Sequence, residues 1–182
     1  EKKFISLSIK NNSRSLLLNK TFFYRDSLER IERILYEVYK NTKYFKKLNN
    51  FILDLIYNNN ELDLASYNIN IIQRICKYLN INLNCELSSE INLDLKKRDL
   101  ILGLLNATNS KKYLANNGSL NYADKDFFHR YDIKFYTHDF IHPKYDQSSQ
   151  NNLKFVDNLS IIDLLFNCEK ESEDVVKVYN PN

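Results

Sequence analysis

Hydrophobic and polar positions change rhythm several times along the chain, and each rhythm predicts an element. Phe4-Ile5-Ser6-Leu7-Ser8-Ile9 alternates with period two, placing Ile5, Leu7 and Ile9 on one face of a strand. Lys10 to Ser15 is polar and reads as a loop, and Leu16 to Phe23 as a further extended segment. The period then lengthens to that of a helix. Asp26-x-x-Glu29 has the form of a capping box, and Leu28, Ile31, Ile34, Leu35 and Val38 fall on one stripe after it. A second helix from about Tyr44 carries Phe45, Leu48, Ile52, Leu55 and Ile56, and a third, Leu64 to Leu79, carries Ile71, Ile72, Ile75 and Leu79.

Beyond Leu83 the elements become short. Leu83, Cys85 and Leu87 alternate as a strand, Ser88-Ser89 follows, and Lys96-Lys97-Arg98 precedes a helix with Leu100, Ile101, Leu104 and Leu105. A strand at Lys112 to Ala115, a loop at Asn116-Asn117-Gly118, a helix near Lys125 to Arg130 and a strand from Ile133 to Phe140 complete the series. Short strands alternating with helices predict an α/β fold: a short, mostly parallel sheet flanked by helices, preceded by an all-helical section at about 26–80. A single domain over 1–168 is expected, divided into the helical section and a βαβαβ-α section at 83–168, with 169–182 as a flexible tail.

Parallel strands end at one edge of their sheet, and open α/β sheets bind ligands outside that carboxyl edge. Three polar stretches are expected there: Ser88-Ser89, Asn116-Asn117-Gly118, and Ile141-His142-Pro143-Lys144-Tyr145. The segment Tyr113 to Cys168 also gathers one of the two glycines, all three histidines and Pro143. Special backbone geometry at a site accounts for that clustering, and so do two ordinary turns.

Ser88, Ser89 and Lys97 beside a helix N-terminus have the chemistry to hold a phosphate, although lysines before a helix are commonly just solvated. Asn116, Asn117 and Gly118 can take left-handed conformations that bring N–H groups to a ligand, or make a tight turn. Tyr113 and Tyr122 offer hydroxyls or a stacking face. His142 is the strongest candidate for proton transfer or ligand orientation, since a neutral imidazole donates, accepts and titrates near neutral pH. Tyr145 and Gln147 complete a polar wall. Ser160 caps the last helix with Asp163 one turn inside, which complements the helix dipole; a pairing of Asp163 with His142 that orients the imidazole is the sharper reading. His129 and His138 lack the carboxylate spacing of a metal site, and no metal is expected. Tyr36, Tyr39, Tyr44 and Tyr57 line a groove or are ordinary boundary aromatics.

Composition narrows the classes. The chain has 182 residues, 43% of them hydrophobic, with 26 basic against 23 acidic side chains intermixed. That is enough for one sizeable core and gives no electrostatic footprint of a dedicated nucleic-acid binder, although Lys96, Lys97, Arg98, Lys111 and Lys112 form a basic cluster. Cys76, Cys85 and Cys168 are odd in number, widely spaced and set among apolar residues, which reads as small buried hydrophobes in a reducing compartment. No run of about 18 apolar residues is present for a membrane span, and a cytoplasmic location is expected. Asparagine runs are read as loops.

Three blocks resemble the C-terminal half of the WbqC-like family: Tyr113-Leu114-Ala115-Asn116-Asn117-Gly118-Ser119 with Tyr122; Phe140-Ile141-His142-Pro143-Lys144-Tyr145 with Gln147; and Asn158-Leu159-Ser160-Ile161-Ile162-Asp163-Leu164-Leu165-Phe166-Asn167-Cys168. Weaker similarity runs back to Phe4. Members are encoded in bacterial gene clusters for O-antigen, other surface polysaccharides and some natural products. They open with a Gln-Pro-aromatic and Pro-Trp-Gly-aromatic block; this chain has no tryptophan and nothing corresponding, so an N-terminally incomplete family domain is expected. Many relatives also carry Ser-Gly where this chain has Ala115-Asn116. The resemblance implies an enzyme, a transferase modifying an activated sugar or similar phosphate-bearing substrate, with a nucleotide, acyl or aminoacyl donor and an unknown cofactor requirement. The alternative is a non-catalytic binding module of a biosynthetic complex.

Overall fold

The computed structural model describes residues 2–10, 16–58, 63–116, 118, 120, 124–137, 140–147 and 154–178. Asn117, Tyr122 and His138 lie outside the described residues. The chain forms two compact units, one made of Glu1–Leu83 with His142–Asn182 and the other of Asn84–Ile141. No helix among the described residues is long and apolar enough to cross a membrane.

In the first unit the periodicity at 26–80 becomes three helices, α1 (Asp26–Tyr39), α2 (Phe45–Tyr57) and α3 (Leu64–Tyr78). Their apolar stripes meet in one core with Leu28, Leu35, Leu48, Ile52, Leu55 and Ile75 buried, and Leu165 and Phe166 join it from a later helix. Ile72, expected on the buried stripe of α3, is about half exposed, and Tyr67 is buried instead, edge-on to Phe23 at 4.7 Å. The expected capping box at Asp26 is not formed. The helix begins with Arg25 as its N-cap and no side-chain cap bond, so Asp26 and Glu29 lie within the first turn, where their charge suits the positive end of the dipole.

Two strands expected from alternation are absent. Residues 2–8 are extended but carry no ladder; Phe4 is 97% exposed, and pairing is limited to an antiparallel bridge between Ile9 and Phe23. Leu83 to Leu87 is likewise outside any strand and leads into a short helix. A strand needs a neighbour to satisfy its backbone groups, and local alternation cannot supply one.

The second unit runs α4 (Ser88–Ile91), α5 (Lys97–Ala107), β1 (Lys112–Ala115), α6 (Lys125–His129) and β2 (Lys134–Thr137). β1 and β2 pair in parallel with Lys112 opposite Lys134 and Ala115 opposite Thr137. The α/β fold with a parallel sheet is therefore present, but as one β-α-β crossover rather than βαβαβ. Tyr113 and Phe135 pack against buried Phe127, Phe128 and Ile133, while Leu114 and Tyr136, on the alternate face, are about half exposed. Arg98 spends its charge locally, its guanidinium 4.5 Å from the Phe127 ring and 3.8 Å from Asp124.

Back in the first unit, α7 (Ile161–Cys168) begins as expected, with the Ser160 hydroxyl accepting from Ile162 N–H at 3.3 Å. The segment expected to fray carries α8 (Glu171–Val178). Ser172 is fully buried, its hydroxyl donating to Leu164 O, and Glu169 is 6% exposed and paired with Lys47 at 2.8 Å, so the segment is tied to the core. Of the cysteines, Cys168 is buried, its thiol pushed up to about 11 mainly by desolvation. Cys76 is half-buried, and Cys85 is exposed because the strand expected around it does not form.

Candidate functional site

The polar stretches expected on a common rim fall in both units. In the second, Ser88 and Ser89 are exposed on α4, and Lys97 is exposed at the first turn of α5 with φ of 52°. Asn116 directly follows the carboxyl end of β1 and is exposed, as is Gly118. Gly118 has no positive φ, so the left-handed turn expected of it is not made. In the first unit lie His142, Tyr145, Gln147 and Asp163, and there a site takes shape.

Asp163 sits in the first turn of α7 and is 1% exposed. A buried carboxylate is costly unless donors converge on it. The Tyr145 hydroxyl donates to its Oδ2 at 2.7 Å and Gln147 Nε2 donates to the same oxygen at 2.9 Å. Gln147 is itself held at both ends, Nε2 also reaching Val156 O at 3.1 Å and Oε1 accepting from Val156 N–H at 2.9 Å. The buried Tyr39 phenol of α1 lies in the same surroundings and is driven far above the usual tyrosine range, first by burial and then by the nearby Asp163 carboxylate. The Tyr145 phenol is raised for the same reasons, burial leading.

The partner of Asp163 is thus Tyr145 rather than His142. The imidazole lies one ring further out, 5.8 Å from the Tyr145 ring and 5.9 Å from that of Phe155. His142 Nδ1 is 2.9 Å from Pro143 O. A carbonyl only accepts, so Nδ1 carries the proton and, in the neutral ring, Nε2 the lone pair. The imidazole is engaged by the neighbouring Pro143 carbonyl, while the Tyr145 side chain reaches α7.

Above Asp163 opens a pocket of about 130 Å³. Its floor is Tyr39, Gln147 and Asp163, its walls include Ile34, Val38, Val156 and Leu159, and Lys2, Lys3 and Lys154 stand around it. All three lysines are exposed. Lys2 pairs with Asp157 at 2.8 Å, whereas no ion pair to Lys3 or Lys154 occurs among the described residues. Two exposed lysines with no ion pair among the described residues, apolar walls and a buried carboxylate suit a small molecule that is anionic at one end and donates a hydrogen bond at the other.

Three of these groups escaped sequence reasoning, and Tyr39 was expected only as one of four groove or boundary aromatics. Tyr39 had a usable signal, since it continues the buried stripe of Leu28 and Leu35 at spacings of seven and four. Lys2, Lys3 and Lys154 had none, being solvated lysines in irregular segments. Among the described residues no group of three or more His, Cys, Asp or Glu is placed to hold a metal ion.

The model of the WbqC-like protein family matches residues 1–175. No curated protein and no solved structure matches the chain.

Proposed function

The chain belongs to the WbqC-like protein family, and on that premise we propose that it is an enzyme of O-antigen or other surface-polysaccharide biosynthesis, a transferase acting on an activated sugar or similar phosphate-bearing substrate. The observation that carries this reading is the pair of lysines, Lys3 and Lys154, which line the pocket at Asp163 and have no ion pair among the described residues. A phosphate group gains from two nearby ammonium groups without requiring either to leave water. Asp163 orients the bound end by accepting from it, and Tyr145 and Gln147 hold that carboxylate in place before substrate arrives. With their phenols raised, Tyr39 and Tyr145 serve as donors and not as bases. His142, whose Nδ1 donates to Pro143 O, is the residue this reading assigns to proton transfer.

A titration of the chain with nucleotides, nucleotide-sugars and acyl donors, followed by amide resonances, tests the proposal. Shifts at Gln147, Val156 and Leu159 are expected, with Lys154→Ala weakening them. Absence of any shift across the panel overturns it. The alternative, a binding module without catalysis, draws on exposed apolar side chains in the first unit, Phe4 at 97% and Leu17 at 66%. Binding of a nucleotide-sugar that no donor converts to product would favour that alternative.

A further inference from the structure

The order of chemistries in the first unit's pocket restricts what it can hold. Anionic groups cannot reach the floor, because Asp163 would face them at close range with no cation between. The anionic end therefore stays at Lys3 and Lys154. A carboxylate offers roughly four lone-pair sites, and Tyr145 and Gln147 take two of those of Asp163, both on Oδ2. Oδ1 is left to accept from a ligand. An ammonium would bring three donors, more than that oxygen can accept, and the surplus would face Ile34, Val38 and Leu159, whereas a hydroxyl brings one.

The walls give the rest. Ile34, Val38, Val156 and Leu159 have no polar side-chain atoms, so every further hydroxyl of a sugar ring placed there would lose its water without a partner. An apolar cavity of roughly 150 Å³ takes a single benzene ring, so a pocket of about 130 Å³ takes a hydrocarbon body no larger than that.

We infer that this pocket holds a short hydroxyacyl group, with its hydroxyl on Asp163, its hydrocarbon chain between Val38 and Leu159, and its carboxylate or phosphate-bearing carrier at Lys3 and Lys154. The inference rests on the phosphate-bearing-substrate reading and names the part of that substrate or donor which enters the protein.

The test is a resonance titration of the 182-residue chain with 3-hydroxybutyrate, butyrate, 3-hydroxybutyramide and inorganic phosphate. 3-Hydroxybutyrate shifts the amides of Val156, Leu159 and Asp163. Butyrate, lacking the donor, binds at least about tenfold more weakly. The amide analogue, lacking the charge, binds about threefold more weakly, and that difference shrinks in high salt. Val38→Phe fills the pocket and abolishes the shifts while the circular dichroism spectrum stays unchanged. If phosphate shifts Lys3 and Lys154 but 3-hydroxybutyrate binds no better than butyrate, the inference fails and the phosphate reading stands. If none of the four shifts any of these resonances, both fail together.

Discussion

A carboxylate survives inside the first unit because two donors, Tyr145 and Gln147, were brought to it before any ligand. At this scale each donor has a measurable share. Tyr145→Phe removes a hydrogen bond to a charged, buried acceptor and is expected to cost about 1.5–3 kcal/mol of stability in urea unfolding. Tyr145→Phe combined with Gln147→Leu should depart from additivity, since both donors serve the same oxygen. The phenols also set an alkaline limit. Both Tyr39 and Tyr145 have folded-state values raised above the ordinary 10.0, so their contribution is fully present below that pH and is lost as pH rises beyond it. Absorbance titration should show that these two are among the tyrosines that ionise only together with unfolding, and Tyr145→Phe should lower the number of protons released in that transition by about one. Ionisation of all 13 tyrosines at ordinary values in the folded chain would contradict the burial of this network.

At the scale of elements, asparagine takes over work that glycine does elsewhere. The chain has two glycines and neither has positive φ, yet seven other residues among those described do, four of them asparagine. Three helices end with the same pattern. After α3, Asn80 (φ 50°) donates to Lys77 O at 3.2 Å and Ile81 to Cys76 O at 2.8 Å. After α5, Asn109 (φ 52°) donates to Asn106 O at 3.1 Å and Ser110 to Leu105 O at 2.8 Å. After α6, Asp132 (φ 58°) donates to His129 O at 3.1 Å and Ile133 to Phe128 O at 3.2 Å. These are Schellman motifs, which satisfy two terminal carbonyls by turning one residue left-handed. Asn109→Ala is expected to cost about 1 kcal/mol, whereas Asn109→Gly should be close to neutral; equal thermal stability of the two variants would argue against a left-handed residue there. Reading asparagine runs only as loops overlooked this, because the signal is a single residue at a helix end and not a run. The N-caps Asp63 and Asp124, which accept from Ser66 and Phe127 N–H at 2.9 and 2.7 Å, were legible in the same way and passed over.

On the scale of the whole molecule the two units differ in the core they own. Thirteen buried residues form the core cluster of the first, three that of the second. Local stability follows buried apolar contact, so amides of β1 and β2 should exchange with deuterium faster than those of α2 under native conditions. Equal protection would mean that the chain opens only as a whole. The helices at 26–80, the β-α-β crossover at 112–137 and the family blocks were legible because each rests on local periodicity or on contiguous residues. The strands expected at 4–9 and 83–87 were not, since their formation depends on a partner that alternation does not specify.

By itself the sequence determined the helices at 26–80, the helices and strands of the crossover at 112–137 and the candidates Asp163, Tyr145 and Gln147, which follow from local spacing and contiguous residues. Only the tertiary structure decided that Tyr39, Gln147 and Asp163 share one floor, that Tyr145 and not His142 holds the carboxylate, and that Lys3 and Lys154 stand above it. The physical reason is that burial and charge pairing depend on distances in space, and residues more than a hundred positions apart are brought together by the packing of α1 against α7, which no local pattern encodes.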